Sequence, residues 1–389
     1  MKRLIFVLSM VLMWLPFRAE ATAMSIRIFA DAKHAKMQFT AELGSYRIQG
    51  ADGRTVRELA EGESVEMTVK GGKVALSLGG RSLGSFSDVM FEGAGLKAIY
   101  GLRVESQGKT LVRYYDDHLE AKAKGGSLFL INHVDLENYV GGVVQSEVRG
   151  VSDKVDFFKV QAIISRTYAM SNRHRHQAEG YDLCDGVHCQ VYHSRNNTPV
   201  ILTATVQSAG LIIVDGSGKP ITAAFHSNSG GQTANSEDAW NAPVSYLRSV
   251  EDEFSLEGKN AYWEKRMPRS EWLDFLSREY DYPVRNAKMK DSALTFSQPV
   301  RKAYFAGGIP LKDIRSDMKL RSSFFSVRTE GAEVVLEGRG YGHGVGLSQE
   351  GVVKMIDKGY SVEEVIKHYY TGVNITSLQD NAASGKRRR

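Results

Sequence analysis

The sequence predicts an α+β chain, with an N-terminal β-rich domain over residues 24–125 and a domain of mixed helices and strands over 126–375. Three observations carry that reading. Polar and apolar side chains alternate through Ser25-Ile-Arg-Ile-Phe and Glu66-Met-Thr-Val, the period of a half-buried strand. Glycine pairs recur at Gly71-Gly72, Gly79-Gly80 and Gly125-Gly126, the punctuation of short strands. At Asp135 the period changes, and Leu136, Tyr139, Val140, Val143, Val144 and Val148 recur at helical spacing.

Before these elements, the chain starts as a secretory signal does. Lys2 and Arg3 precede an apolar run from Leu4 to Phe17, too short for a confident membrane span. Ala21-Thr22-Ala23 supplies the small-x-small pattern of a cleavage site, so residues 1–23 are expected to be removed before Met24; a retained anchor is the alternative. The remaining chain is expected outside the cytoplasm, in the periplasm or at the cell wall, with no stable membrane insertion. The formal charge of +5 comes from the two ends. Residues 1–23 hold Lys2, Arg3, Arg18 and Glu20, and Lys386-Arg387-Arg388-Arg389 closes the chain, so the body between them sits at −1. That balance leaves no evenly basic face for nucleic acid. Residues 376–389 read as a disordered basic tail.

In the second domain, Asp135 is placed to cap the first helix, with Glu137 in its first turn. A second helix is expected from about Asp153 to Arg173. Strands are expected at Val200–Val206, Leu211–Val214 and Ile221–Phe225, the last two joined by a turn at Gly216-Ser-Gly. Helical or irregular structure is expected around Ser270–Tyr280. Ser361 and Glu364 form a capping box for a last helix that ends at Gly372.

Glu147 is a carboxylate on the wrong face of the first helix. Eleven residues after Leu136, it projects about 20° from it, inside the stripe of Leu136, Val140 and Val143. Burial there disfavours the charged form and raises the pKa, as protonation of a glycosidic oxygen requires. On periodicity alone, a buried ion pair with Arg149 or Arg166 is the better reading.

The wider pattern changes that balance. Leu136-Glu-Asn-Tyr-Val-Gly-Gly-Val-Val-Gln-Ser-Glu147, followed by Lys159-Val-Gln-Ala-Ile-Ile-Ser-Arg166-Thr-Tyr168, resembles the core of the SpoIID/LytB family. Gly180-Tyr-Asp-Leu-Cys184-Asp-Gly-Val-His188-Cys189-Gln-Val-Tyr192, Phe225-His-Ser-Asn-Ser-Gly-Gly-Gln-Thr233, Tyr246-Leu-Arg-Ser-Val250 and Gly338-Arg-Gly-Tyr-Gly-His343-Gly-Val-Gly-Leu-Ser348-Gln349 follow in the order that family shows. The family includes lytic transglycosylases of peptidoglycan, acting preferably on peptide-free strands, and enhancers of wall amidases. Two departures stand out: Val148-Arg149-Gly150 replaces the usual Met-Pro after the glutamate, and Ser165 replaces an alanine before Arg166.

The resemblance implies a catalytic role for Glu147 and a supporting one for Arg166. Tyr168, Ser227, Ser229, His343, Ser348 and Gln349 are then expected at the glycan, and the glycines at 338–346 are expected to let backbone approach it closely. Ser227 and Ser229 lie in no Gly-x-Ser-x-Gly elbow, so a serine hydrolase is not indicated. A lytic transglycosylase needs one acid, which protonates the leaving oxygen and then takes the C6 hydroxyl proton. Glu237 and Asp238 are the nearest second carboxylates, though a turn cap suits them better. The spacing of Cys184 and Cys189, with His188 and an upstream His174 or His176, allows a zinc site; an exported chain also allows a disulfide. The resemblance favours structural Zn²⁺ on His176, Cys184, His188 and Cys189. The expected activity is glycan cleavage to 1,6-anhydro ends, with peptidoglycan strands as partner. An amidase-activating or glycan-binding module is the rival, and a zinc hydrolase of wall amide bonds a weaker one.

Overall fold

The computed structural model describes residues 22–387 apart from Gln107 and Asn241. The expected signal segment falls almost wholly outside the described residues, as do Arg388 and Arg389. Both helices and strands are present, as the sequence predicts.

The expected alternation appears in β1 (Ala23–Ile28), which buries Met24, Ile26 and Ile28 on one face. It is followed by β2 (Lys36–Gly50), β3 (Thr55–Leu59), β4 (Ser64–Lys70), β5 (Lys73–Leu78), β6 (Arg81–Phe86), β7 (Asp88–Ser106), β8 (Lys109–Asp116), β9 (His118–Lys124) and β10 (Ser127–Asp135). With β11 (Leu183–Cys184) they form one sheet in the order β11-β1-β10-β9-β7-β2-β4-β5-β6, with β3 on β2 and β8 on β7. The pairing is antiparallel except between β1 and β11. The long β2 and β7 shift register between Ala41 and Ser45, and β5 comes against β9. Inside lies an aromatic cluster in which Phe39 stacks on Phe91 at 4.2 Å and on Tyr100 at 5.3 Å.

β10 runs directly into α1 (Leu136–Val148), so the sheet and the helices share one core. Asp135 caps α1 as expected, its Oδ1 accepting from Glu137 N at 2.8 Å and Asn138 N at 3.4 Å. α2 (Val155–Asn172) packs on α1 and is buried over most of its length.

The strand expected at Val200–Val206 is instead α3 (Pro199–Gln207). Pro199 occupies its first turn, where a missing N–H costs nothing. Ile201, Ala204 and Thr205 face the core at helical spacing, while Leu202 and Val206 are exposed. Tertiary packing therefore overrides β-branched propensity. β12 (Leu211–Val214) and the turn after it stand as expected, whereas regular pairing at Ile221–Phe225 shrinks to β13 (Phe225–His226), parallel to Leu347–Ser348. α4 (Ser236–Trp240) follows.

A second core lies within residues 262–336. The strands Tyr262–Pro268, Phe325–Glu330 and Glu333–Arg339 make an antiparallel sheet, packed by α5 (Arg269–Tyr280), α6 (Ala287–Leu294) and α7 (Leu311–Asp317) around Trp272, Phe296 and Phe305. α8 (Gln349–Asp357) and α9 (Val362–Tyr369) return to the first core, and Ser361 and Glu364 form the expected capping box. The tail is ordered further than its composition suggests. In the stretch expected as a disordered tail from residue 376, Asn374–Ser377 pairs with β12 up to Ser377, Leu378 rests on the first core, and α10 (Leu378–Arg387) follows. Among the described residues no helix is long and apolar enough to cross a membrane.

Candidate active site

Three successive residues near the end of α1 hold one loop. Gln145 Nε2 donates to Arg195 O at 2.9 Å, and its Oε1 accepts from Asn197 N at 2.8 Å. Ser146 Oγ accepts from His193 N at 3.1 Å, and Glu147 Oε1 from Val191 N at 3.0 Å. Gly142 makes this approach possible, because a Cβ there would sit 2.4 Å from the Tyr192 ring. Tyr192 in turn donates to Asn132 of β10 at 2.9 Å, which ties the loop to the sheet.

Glu147 thus stands half-buried at the edge of the helical stripe rather than in an ion pair. Burial pushes its carboxyl above the usual range, and the Val191 N–H opposes that shift only in part. It opens on a cleft of about 550 Å³ lined also by Tyr168, Asn172, Val191, Phe225, Trp240 and His343.

Of the residues expected beside it, Tyr168 and His343 reach the cleft. Tyr168 Oη accepts from Arg175 Nη1 at 3.0 Å. His343 Nδ1 accepts from Val345 N at 3.0 Å, which leaves the proton on Nε2, and burial pushes the ring down to about 4. It is therefore neutral near pH 7.

The others are placed elsewhere. Arg166 is fully buried, and its guanidinium is spent on Glu137 at 2.8 and 2.5 Å and on Leu211 O at 3.0 Å. It joins α1, α2 and β12 and does not line the cleft. Ser229 is buried and donates to Asp252 at 2.7 Å. Ser348 caps α8 through Gly351 N. Ser227 Oγ accepts from Asn260, and Gln349 begins α8 away from the cleft lining. The glycine-rich loop also serves the fold: Gly340 and Gly346 have φ of 77° and 70°, and a Cβ would meet Asn228 O at 2.5 Å and Ala224 O at 2.2 Å. At these two glycines the close approach is to the protein's own backbone. Glu237 pairs with Arg248 at 2.5 Å, which holds its carboxyl down to about 2.

Sequence reasoning passed over Trp240, Asn172, Arg175 and Val191 as cleft residues. Trp240 had a signal in the sequence, a tryptophan at the end of the polar run Ser236-Glu-Asp-Ala, and in the structure 43% of its surface is exposed. Val191 had none, because it acts through its backbone.

Beside the cleft, His176, Cys184, His188 and Cys189 bring their ligand atoms within 4.8 Å of one another and could hold a metal ion. Both cysteines are free thiols. Cys189 Sγ lies 3.4 Å from His176 Nε2 and 3.6 Å from His188 Nδ1, and Cys184 Sγ lies 3.9 Å from His188 Nδ1. Glu179 sits 2.6 Å from His176 Nδ1, the place of an outer carboxylate that would orient this imidazole on a metal. His174 is outside the group. Asp185 anchors the loop to the sheet, accepting from Phe29 N at 2.7 Å and pairing with Arg113 at 3.2 Å.

A family model described as Stage II sporulation protein matches residues 124–214. The chain is 30% identical over 274 residues to a protein named Stage II sporulation protein D from Bacillus amyloliquefaciens, covering 63% of this chain and 75% of that one. Identity to the protein of the same name from Bacillus subtilis is 29% over 263 residues, covering 63% and 76%. A protein named Amidase enhancer, also from Bacillus subtilis, is 23% identical over 289 residues, covering 61% of this chain and 40% of that one.

Proposed function

The chain belongs to the SpoIID family, and from that premise we propose that it is an exported lytic transglycosylase of cell-wall glycan with Glu147 as its single acid and base. The observation that carries this reading is Glu147 itself: one half-buried carboxyl, raised by burial, opening on a cleft of about 550 Å³. The protonated carboxyl gives its proton to the glycosidic oxygen as the C1–O bond breaks. The resulting carboxylate takes the proton of the muramyl C6 hydroxyl, whose oxygen closes on C1. The product is a 1,6-anhydro end, and no water is consumed. Glu237 is engaged by Arg248, which sets that carboxylate aside as the second group of an ordinary two-carboxylate glycosidase and leaves Asp238, in the lining of the adjoining cavity, as the other neighbouring carboxylate. Trp240 offers an aromatic face for a sugar ring, and neutral His343 stands beside it with ring centroids 5.2 Å apart.

The His/Cys group fits zinc. Tetrahedral Zn²⁺ with bonds of about 2.3 Å to sulfur and about 2.0–2.1 Å to nitrogen separates those ligands by about 3.5 Å, against the 3.4, 3.6 and 3.9 Å found. Four protein ligands leave no open position, so the metal would supply stability rather than an activated water. It would fix the 184–191 loop, which carries the Val191 N–H to Glu147.

A second reading, activation of a wall amidase, draws support from the relative named Amidase enhancer. Digesting purified peptidoglycan with the wild-type protein and Glu147→Gln separates the two. Fragment release by wild type alone supports glycan cleavage. Release only on addition of an amidase, equal for both proteins, supports the enhancer reading instead.

A further inference from the structure

The Glu147 cleft does not end at Trp240 and His343. The same two residues line a second cavity of about 330 Å³ against the 262–339 unit, so the two cavities adjoin at Trp240 and His343. The far wall of the second is cationic. Arg301, Lys302, Lys312 and Arg315 line it, together with Asp238 and Asp313.

Two of these cations are placed for an anion. Arg301 Nε donates to Gln232 O at 2.6 Å and Nη2 to Ser229 O at 2.9 Å, while the guanidinium packs over Phe324 at 4.7 Å. It also occupies the space a Cβ on Gly344 would need, 2.8 Å away, so the glycine loop holds the arginine in place. Arg315 Nε donates to Arg321 O at 3.4 Å. Among the described residues neither arginine makes an ion pair, in contrast to Arg166, Arg195 and Arg248. Burial lowers the pKa of both, so each is a partly desolvated cation whose hydrogen-bond partners are neutral carbonyls. Such a pair gains most from a planar anion that a guanidinium fork can grip.

We propose that this basic cavity is a carboxylate subsite, with Arg315 and Arg301 holding an acidic substituent of the glycan strand while Glu147 acts on the linkage further along. The inference rests on the glycan reading of the Glu147 cleft. The carboxylate has two possible sources: the lactyl group of a peptide-free muramyl sugar, or the stem peptide of a substituted one.

The test uses the full-length Glu147→Gln protein, which binds without cutting, and isothermal titration calorimetry at low salt. The probes are peptide-free muramyl oligosaccharides, the same oligosaccharides with their carboxylates converted to methylamides, and peptide-bearing strands before and after the same conversion. The expected result is an affinity about tenfold lower after conversion, the size of one charge-assisted contact. Arg315→Gln added to the same protein removes that difference, lowering affinity for the unconverted strand more than for the amidated one. Lys302→Gln, on an exposed side chain, gives a smaller loss in the same direction. A difference confined to the peptide-free strand assigns the lactyl carboxylate, and one confined to the peptide-bearing strand assigns the peptide. Equal affinity before and after conversion in both series, with strand binding intact, overturns the subsite alone. No binding of any strand overturns the glycan reading and the subsite with it.

Discussion

Glu147 shows how a single position sets a chemistry. Its phase on α1 puts it against an apolar stripe, and the one backbone donor that reaches it leaves its carboxyl raised. The linkage sign follows. A carboxyl whose folded pKa exceeds its unfolded value costs stability as pH rises from the unfolded value through the folded one. Glu147→Gln removes that cost and keeps an acceptor for Val191 N. The melting temperature of the variant should therefore gain on wild type between pH 4 and pH 7, while cleavage falls by about 10²–10⁴; a gap that stays constant or shrinks contradicts the raised pKa. Arg166 teaches the reverse lesson. The sequence marks it as notable, and its role is a buried bridge to Glu137. Arg166→Met should cost about 3 kcal/mol in urea unfolding, toward the lower end for a buried pair because Glu137 keeps some solvent contact. Losing less than about 1 kcal/mol would remove that role. Residue identity was legible here, but the partner was not, since Glu137 and Arg166 meet only once α1 and α2 pack.

At the scale of elements, the site depends on how α1 and two loops are fastened. The cap at Asp135, the helical period and the capping box at Ser361 were readable because they are local. α3 was misread because its β-branched run fits a strand until Pro199 and the shared burial of Ile201, Ala204 and Thr205 are weighed together. The grip of Gln145, Ser146 and Glu147 on residues 191–197 joins segments about fifty residues apart, which no periodicity reports. Gly142→Ala should push the Tyr192 ring outward, cost about 1–3 kcal/mol as overpacking does, and slow cleavage in protein that remains folded; unchanged stability and rate would separate the loop from the site. The His/Cys loop gives a parallel test. Purified protein should carry about one zinc per chain, and its removal by a chelator should lower the melting temperature with loss of cleavage. Metal-free protein lighter by two hydrogens would replace the metal with a disulfide.

The whole molecule sets the adjoining cavities between two cores. The first joins the large sheet to α1, α2, α3, α8 and α9, and the second fills the unit within residues 262–336. The sequence reading, which parted a β-rich domain from the rest at residue 125, foresaw neither the core that the sheet shares with the helices nor the second, which is built from short helices and three strands whose apolar residues are spread over more than seventy positions. The contribution of this second unit to the basic cavity, through Arg301, Lys302 and Arg315, is equally invisible to motif reading, since these cations lie outside every block that resembles the family. The central claim, that Glu147 cleaves glycan without water, has one direct measurement: mass spectrometry of the new ends made from peptide-free muramyl strands in ¹⁸O-labelled water. The account predicts 1,6-anhydro ends, lighter by one water than a reducing end and free of the label. Reducing ends carrying ¹⁸O would contradict it.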